Sequence, residues 1–316
     1  MSATTFHAAP ALPDVLPEPK KRGRIGGFVV RHPTIAIGGT IVALMVLIAI
    51  FAPFLGTVDP TALAPAKRTR PPPMPSEWFG YWFGGDPRPR TADFWFGSDM
   101  LGRDVYSRVL YGTRVSLTVG FSVAALASVI GTFIGVAAGF SRKIDVIVMR
   151  VMDGLMSIPA ILLAIALMAL TRASMKNVIV AIAMAEFPRV CRLTRGVVLS
   201  LREQPYVEAA IAAGTRLPVI VWKHILPNTL APLMVQATFI CASSMIAEAT
   251  LSFLGAGTPP IVPSWGNIMA EGRALWQVKP YIVFFPAAFL SITVLAVNML
   301  GDGLRDALDP RLAKRL

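Results

Sequence analysis

The chain has 316 residues, of which 54% are hydrophobic and only 15% are charged, and its mean hydropathy is +0.61. Soluble domains carry about 25% charged residues, so this composition excludes an ordinary soluble domain and indicates an integral membrane protein. The net charge of +12 does not indicate nucleic-acid binding, because lysine and arginine in membrane proteins collect on cytoplasmic loops, where they fix orientation.

Residues 1–33 are rich in proline and basic residues and are predicted to form a disordered cytoplasmic tail. The apolar run 34–55 is long enough for a first transmembrane helix, since about 20 residues cross a bilayer. It follows a long polar leader, so we interpret it as an uncleaved span. Residues 56–114 form a hydrophilic external segment. Its part 98–114 is amphipathic and is predicted to be a helix lying along the membrane surface, capped by its first or second residue.

Five further spans are predicted in a core domain of residues 115–304. The apolar runs that define them are about 115–140, 147–170, 177–190, 229–254 and 281–300. The third of the six spans contains Pro159. In the second span, Gly131, Gly135 and Gly139 recur every four residues, and small residues at this spacing let two helix backbones approach closely. That approach is expected either within the chain or between subunits.

Six spans place both termini on the same side of the membrane. With the N-terminus inside, eighteen lysine and arginine residues fall on the cytoplasmic side and four fall in the short external loops. Three of the eighteen, Arg189, Arg192 and Arg195, extend the fourth helix beyond the bilayer. The positive-inside rule therefore predicts an N-in, C-in orientation. The loop 200–228 and the tail 305–316 are then cytoplasmic.

The loop 200–228 has the local chemistry of a helix–turn–helix. Pro205 suits the first turn of a helix that continues through an alanine-rich stretch. Gly214 is placed to end that helix in the left-handed conformation. Thr215 is a candidate cap for a second helix, which Pro227 is expected to stop. The sequence thus predicts a compact projection from the spans.

One face of this projection is predicted to dock on another protein. Ala209 and Ala210 have small side chains that allow close seating in a groove, and Glu208 can make one charge-assisted contact. No GxxxxGK[ST] phosphate loop occurs, and the dipeptide Gly-Lys never appears. If ATP drives this protein, another chain therefore hydrolyses it. Cys191 and Cys241 imply no disulfide framework, and the three histidines have no metal-ligand spacing. We expect no bound metal or cofactor.

The spacing within this loop resembles the EAA loop of the permease subunits of ATP-binding-cassette (ABC) importers. The residues that carry the resemblance are Glu208, Ala209, Ala210, Gly214, Leu226 and Pro227. The family usually has an aliphatic residue two places before the Leu-Pro pair. This chain has His224 there, with Ile225 immediately after, so the chain departs from the family pattern at this position.

Four other segments are similar to the dipeptide/oligopeptide/nickel branch of these permeases, and to its subunit type with the shorter external segment. They are residues 96–117, 148–167, 248–273 and 298–312. The resemblance implies an all-α type I ABC importer permease fold in the bacterial inner membrane. It also implies a paired permease subunit, two cytoplasmic ATPases that bind the ATP, and an extracytoplasmic substrate-binding protein. No residue of this chain would be catalytic. Dipeptides, oligopeptides, glutathione, nickel chelates and opines all stay open as substrates.

Three carboxylates lie in or near predicted spans, where charge is costly and often marks a pathway. Asp153 is expected to pair with Arg150, one turn earlier. Glu186 lies within helical pairing distance of Arg189 and is assigned to either a structural or a gating role. Glu248 has no obvious local partner and is the strongest candidate for lining a cavity.

Two other functions stay open. An ion-coupled secondary transporter would have inverted repeats, broken spans at matching positions and a buried ionisable site. No convincing internal repeat is visible in the sequence. A non-transporting membrane anchor would have no use for a complete coupling loop.

Overall fold

A computed structural model describes residues 32–73 and 94–308 of the chain. Within these two ranges the chain folds into helices joined by short turns, and no β-strand is present. The predicted tail 1–33 falls almost entirely outside the described ranges, as do most of the C-terminal tail and part of the external segment.

Ten α-helices are found in the described ranges and are numbered in chain order. They are α1 Pro33–Phe51, α2 Val105–Phe140, α3 Arg142–Met156, α4 Ala160–Ala169, α5 Met175–Arg202, α6 Pro205–Ala212, α7 Leu217–Ile220, α8 Leu226–Phe253, α9 Trp265–Gly272 and α10 Tyr281–Leu308. A π-helical turn, Val221–Ile225, joins α7 to α8 without a break.

Four helical stretches are long and apolar enough to cross a membrane, and one bent pair supplies a fifth candidate. The four stretches are Pro33–Phe54, Val105–Phe140, Leu217–Phe253 and Tyr281–Leu308. The bent pair is α3 with α4. The predicted fourth span, within α5, is not among the candidates, and that helix carries arginines through its second half. The structure therefore confirms an all-helical membrane fold with four or five candidate spans, which is a coarser result than the six predicted.

The third predicted span is broken. The predicted run 147–170 contains two helices, α3 and α4, whose axes differ by 87°. Pro159 occupies the N-cap position of α4, with an extended ψ of 130°. Proline has no N–H to donate, and it disfavours helical backbone in the residue before it, so α3 ends ahead of Pro159. The prediction recognised Pro159 but not the break that it causes.

The predicted surface helix 98–114 is wrong as a separate element. Residues 98–104 are not helical, and α2 then runs unbroken into the predicted second span. Asp104 caps it, since its carboxylate accepts hydrogen bonds from the N–H groups of Tyr106 and Ser107 at 3.2 and 2.9 Å. Burial raises the pKa of the Asp104 carboxyl, and the bonds from Ser107 and Tyr106 act in the opposite direction.

The surface-helix prediction failed because its charged side chains face protein rather than water. Arg103 Nε and Arg108 Nη1 both donate to Asp99 Oδ2, at 2.7 and 2.6 Å. Both arginines also bind the carboxylate of Glu271 on α9. The side chains of Asp99 and Arg108 are each 1% exposed. We call these four residues the buried charge cluster, and it joins the start of α2 to α9.

The glycines that recur along α2 close on α5 of the same chain. A Cβ atom at Gly131 would lie 2.6 Å from Val190 Cβ, and one at Gly135 would lie 2.7 Å from the Cys191 carbonyl oxygen. Gly139 faces the next turn of α5 in the same way. The predicted close approach of two backbones is confirmed, and it lies within the chain.

We expect Gly135→Leu to destabilise the protein, by about 1–3 kcal/mol, because the added side chain must displace the backbone of α5. Thermal unfolding of the detergent-solubilised protein measures the effect as a lower Tm. Gly154→Ala is the matched control, since a Cβ there has nothing within 4 Å. Equal Tm values for the two variants would contradict the tight seam between α2 and α5.

Candidate coupling surface and membrane carboxylates

Residues 200–228, called the knuckle from here on, form a helix, a turn and a second helix as predicted. Gly214 has a φ of +76°, in the left-handed region. The N–H of Gly214 donates to the Ile211 carbonyl at 2.9 Å, and the N–H of Thr215 donates to the Ala210 carbonyl at 3.0 Å. This pair of bonds is a Schellman motif, which ends α6 and sets the direction of the chain into α7.

Two details of the predicted knuckle are wrong. Thr215 does not cap the second helix, because the N-cap position belongs to Arg216, whose side chain makes no capping bond. Pro227 does not stop that helix. The π-helical turn before it rearranges the backbone bonds, so Pro227 falls in the first turn of α8, where a missing N–H costs nothing. The second arm of the knuckle therefore continues directly into a candidate span.

The knuckle is anchored to the ends of the long helices by a small apolar core. Val207, Ile220 and Ile225 are fully or almost fully buried and pack with Val198 of α5. Partly buried side chains at the end of α2, including Phe140, complete this core. Movement of the knuckle is thus mechanically connected to α2, α5 and α8.

His224, where the chain departs from the family pattern, does not disturb this anchor. Ile225 supplies the buried aliphatic side chain, and His224 is half-buried with its ring centroid 6.1 Å from that of Tyr206. The buried aliphatic side chain thus lies one residue after His224.

The opposite face of the knuckle is exposed and largely apolar. Glu208, Ala209 and Gly214 are exposed, and Ala210 is half-buried. Large exposed apolar side chains surround them: Tyr206, Ile211, Leu217, Val219 and Trp222. These five side chains were not among the predicted contact residues, although apolar residues on both arms of a polar loop were a usable signal. Exposed apolar patches of this kind are typical of contact surfaces.

An open apolar groove of about 640 Å³ lies beside the knuckle, between α2 and α8. Its walls include Val129, Phe133, Leu217, Trp222, Leu230 and Met234. Trp222 belongs to both the groove and the knuckle's exposed face, and it is 75% exposed. The groove and the exposed face are therefore continuous.

Of the three carboxylates predicted in or near the spans, Glu186 has the expected partner. Arg189 Nη1 donates to its Oε2 at 3.2 Å, and the Glu186 side chain is buried. Glu248 has a partner that the prediction missed, since Ser252 Oγ, one turn later, donates to its Oε1 at 2.8 Å. Its Oε2 has no hydrogen-bond partner within the described part of the chain. Glu248 has no exposed surface, and a pathway role for either carboxylate stays a prediction.

The predicted pair of Asp153 with Arg150 is wrong. Asp153 Oδ1 accepts from Arg192 Nη2 of α5 at 2.6 Å. Asp145, near the start of α3, accepts two hydrogen bonds from Arg195 of α5, each 2.8 Å long. Local spacing within one helix could not find these partners, because they come from a helix that is about forty to fifty residues distant in sequence.

The described residues are all-helical, with four or five candidate spans and an exposed helix–turn–helix knuckle, and this architecture defines the class of multi-pass membrane proteins. Comparison with known families makes the assignment specific. Residues 127–314 match the model of the binding-protein-dependent transport system inner membrane component, and residues 29–73 match the N-terminal TM domain of oligopeptide transport permease C. The chain belongs to the family of binding-protein-dependent transport system inner membrane components.

Several curated relatives cover most of the chain. A probable peptide ABC transporter permease protein, y4tQ of Sinorhizobium fredii, is 50% identical over 90% of this chain and 91% of its own length. The dipeptide transport system permease protein DppC of Alkalihalophilus pseudofirmus is 39% identical over 87% of this chain and 85% of its own. The glutathione transport system permease protein GsiD of Pectobacterium atrosepticum is 37% identical over 90% and 89%.

Solved structures support the fold. An inward-facing structure of the MetNI methionine ABC transporter has a chain that aligns with a TM-score of 0.52 and 22% identity. The alignment covers 64% of this chain and 96% of the other. Together with the family match, this confirms the resemblance to ABC importer permeases and assigns a multi-pass protein of the inner membrane.

Proposed function

We propose that this chain is a membrane-spanning permease subunit of an ATP-driven importer for dipeptides or oligopeptides. The observation that carries the substrate class is the set of relatives named as peptide permeases, at 50% and 44% identity over 90% of the chain. The relative named for glutathione transports, by that name, a peptide as well. Nickel chelates and opines are the alternative cargoes of the same type of importer.

We propose six spans with both termini in the cytoplasm. α5 is the one span that must be added to the five candidates. Its 28 residues make a helix about 42 Å long. A bilayer core is about 30 Å thick, so about 12 Å of α5, at its arginine-bearing end, extends out of it. The excess of basic residues on the knuckle side supports the orientation.

The proposed assembly joins this chain to a second permease subunit, two cytoplasmic ATPases and an extracytoplasmic binding protein. The ATPases bind and hydrolyse the ATP, because this sequence has no phosphate loop of its own. The exposed face of the knuckle around Glu208 seats on one ATPase. Its apolar anchor then carries ATPase closure to α2, α5 and α8 as a rigid-body motion.

The test of this coupling is Glu208→Lys in the complete transporter, reconstituted in vesicles with the binding protein and a dipeptide. Glu208 is exposed and forms no ion pair with another described residue, so the variant is expected to fold and insert. A reversed charge at the contact is expected to lower ATP-dependent uptake more than about tenfold. Co-purification of the ATPases measures docking separately.

Glu203→Lys is the matched control, because Glu203 is also exposed and lies at the junction before α6. Its uptake is expected to stay near that of the unchanged protein. Uptake at full rate in Glu208→Lys would contradict docking at this face. Uptake that survives ATP depletion would instead favour the ion-coupled transporter.

A further inference from the structure

Two ion pairs connect α3 to the half of α5 that leads into the knuckle. Asp145 and Arg195 form a two-bond pair, with side chains 18% and 34% exposed. Asp153 and Arg192 form a single-bond pair that is at least half exposed. The two pairs lie near opposite ends of the fifteen-residue α3, so they hold the helix along its length.

A short apolar face also holds α3 against the protein. Met152 is its one buried residue, and Val146 and Ile147 are both exposed. α3 contacts α2 and α5, and Val148, Met149 and Leu155 are partly buried against the core together with Met152. Beside these apolar contacts, the two aspartates supply the polar links between α3 and α5.

The two helices joined by the ion pairs, α3 and α5, lead into different parts of the protein. α5 ends at Arg202, and the knuckle's first helix begins at Pro205. α3 continues through the 87° break into α4, the second part of the broken span. A displacement of the knuckle thus reaches α5 directly, and it can reach the broken span through the ion pairs.

We propose that Asp145 and Asp153 are positioning residues for transport, which make the broken span α3–α4 follow α5 when the knuckle is displaced. The inference rests on the proposed function. Asp145 carries most of the effect, because its pair is less exposed and has the parallel geometry of an arginine fork on a carboxylate. The Asp153 pair is solvent-exposed and contributes less.

The experiment measures uptake per ATP hydrolysed in the complete reconstituted transporter. Asp145→Asn is expected to lower this ratio about tenfold, with the ATPases still bound. Asp153→Asn is expected to lower it about threefold or less. The charge swap Asp145→Arg with Arg195→Asp is expected to recover most of the ratio, which a purely local loss of stability would not do. Arg142→Gln is the control on the same helix, since Arg142 is exposed and forms no ion pair with the described residues.

An unchanged ratio in Asp145→Asn would overturn the proposal, as would a charge swap no better than the single variants. If Asp145→Asn fails to fold, a disulfide between cysteines placed at the exposed positions 153 and 192 replaces it. The cross-linked transporter is expected to keep its uptake per ATP, because the two helices move together. Loss of uptake on cross-linking would overturn the proposal. If the proposed function itself is wrong, the protein without substitutions will bind no ATPase. That result is distinct from the outcomes above.

Discussion

Replacing Gly214 by proline is expected to reduce ATP-driven uptake more than about tenfold while the protein still inserts in the membrane. Gly214 has a φ of +76°, and proline fixes φ near −65°. Proline also lacks the N–H that Gly214 donates to the Ile211 carbonyl. The turn between α6 and α7 must therefore change direction, which moves the exposed face of the knuckle relative to its anchor. Uptake, ATPase co-purification and Tm are measured in parallel.

Gly56→Pro is the matched control for this variant. Gly56 has a similar φ of +69°, is exposed, and has nothing within 4 Å of an added Cβ, as at Gly214. The same backbone conflict is therefore introduced just after the first span, far along the chain from the knuckle. Uptake by the Gly56→Pro variant is expected to fall only as far as the amount of folded protein falls. Equal uptake in the two variants would contradict a specific role for the turn at Gly214.

Removing one member of the buried charge cluster is expected to give the largest loss of stability. Asp99→Ala leaves Arg108, whose side chain is 1% exposed, and Arg103 with only Glu271 as an anionic partner. Breaking a buried ion pair in this way costs about 3–5 kcal/mol, because an uncompensated charge stays buried. Thermal unfolding in detergent measures the loss, and uptake is expected to fall with the amount of folded protein.

Asp59→Ala is the control for removal of an aspartate, since Asp59 is exposed and its side chain bonds, among the described residues, only to Thr61, two residues away. Its Tm is expected to match that of the unchanged protein. The double variant Asp99→Ala with Arg108→Met is expected to recover part of the loss, because it removes the unpaired charge. A Tm for Asp99→Ala equal to that of Asp59→Ala would contradict the structural role of the cluster.

The knuckle could be predicted in some detail because its signals are local. Proline at a helix start, an alanine run and a glycine at a helix end each act on the backbone within a few residues. Gly214 and Pro205 have the expected positions, and the bend at Gly214 follows from one residue type. The continuation through Pro227 was missed, because a π-helical turn can absorb a proline that would otherwise end a helix.

The partners of charged residues could not be predicted from one sequence. The spacing of Arg103 and Arg108 is typical of the water-facing side of an amphipathic helix. Both are nevertheless buried against Glu271, more than 160 residues away in sequence. Asp153 had a plausible partner one turn away in Arg150 and instead bonds Arg192 of another helix. In each case the tertiary packing decides which opposite charge is near, and local periodicity carries no information about it.

The short length of α4 has a consequence for the permeability of the membrane. Ten residues of helix span about 15 Å, roughly half of a bilayer core of about 30 Å. α3 adds only about its last six residues to this apolar stretch, because Arg142, Lys143, Asp145 and Arg150 all lie in its first nine residues. The carbonyl and N–H groups freed at the break need protein or water as partners rather than lipid. The barrier against ion leak beside α4 must therefore be completed by neighbouring helices or by a second chain.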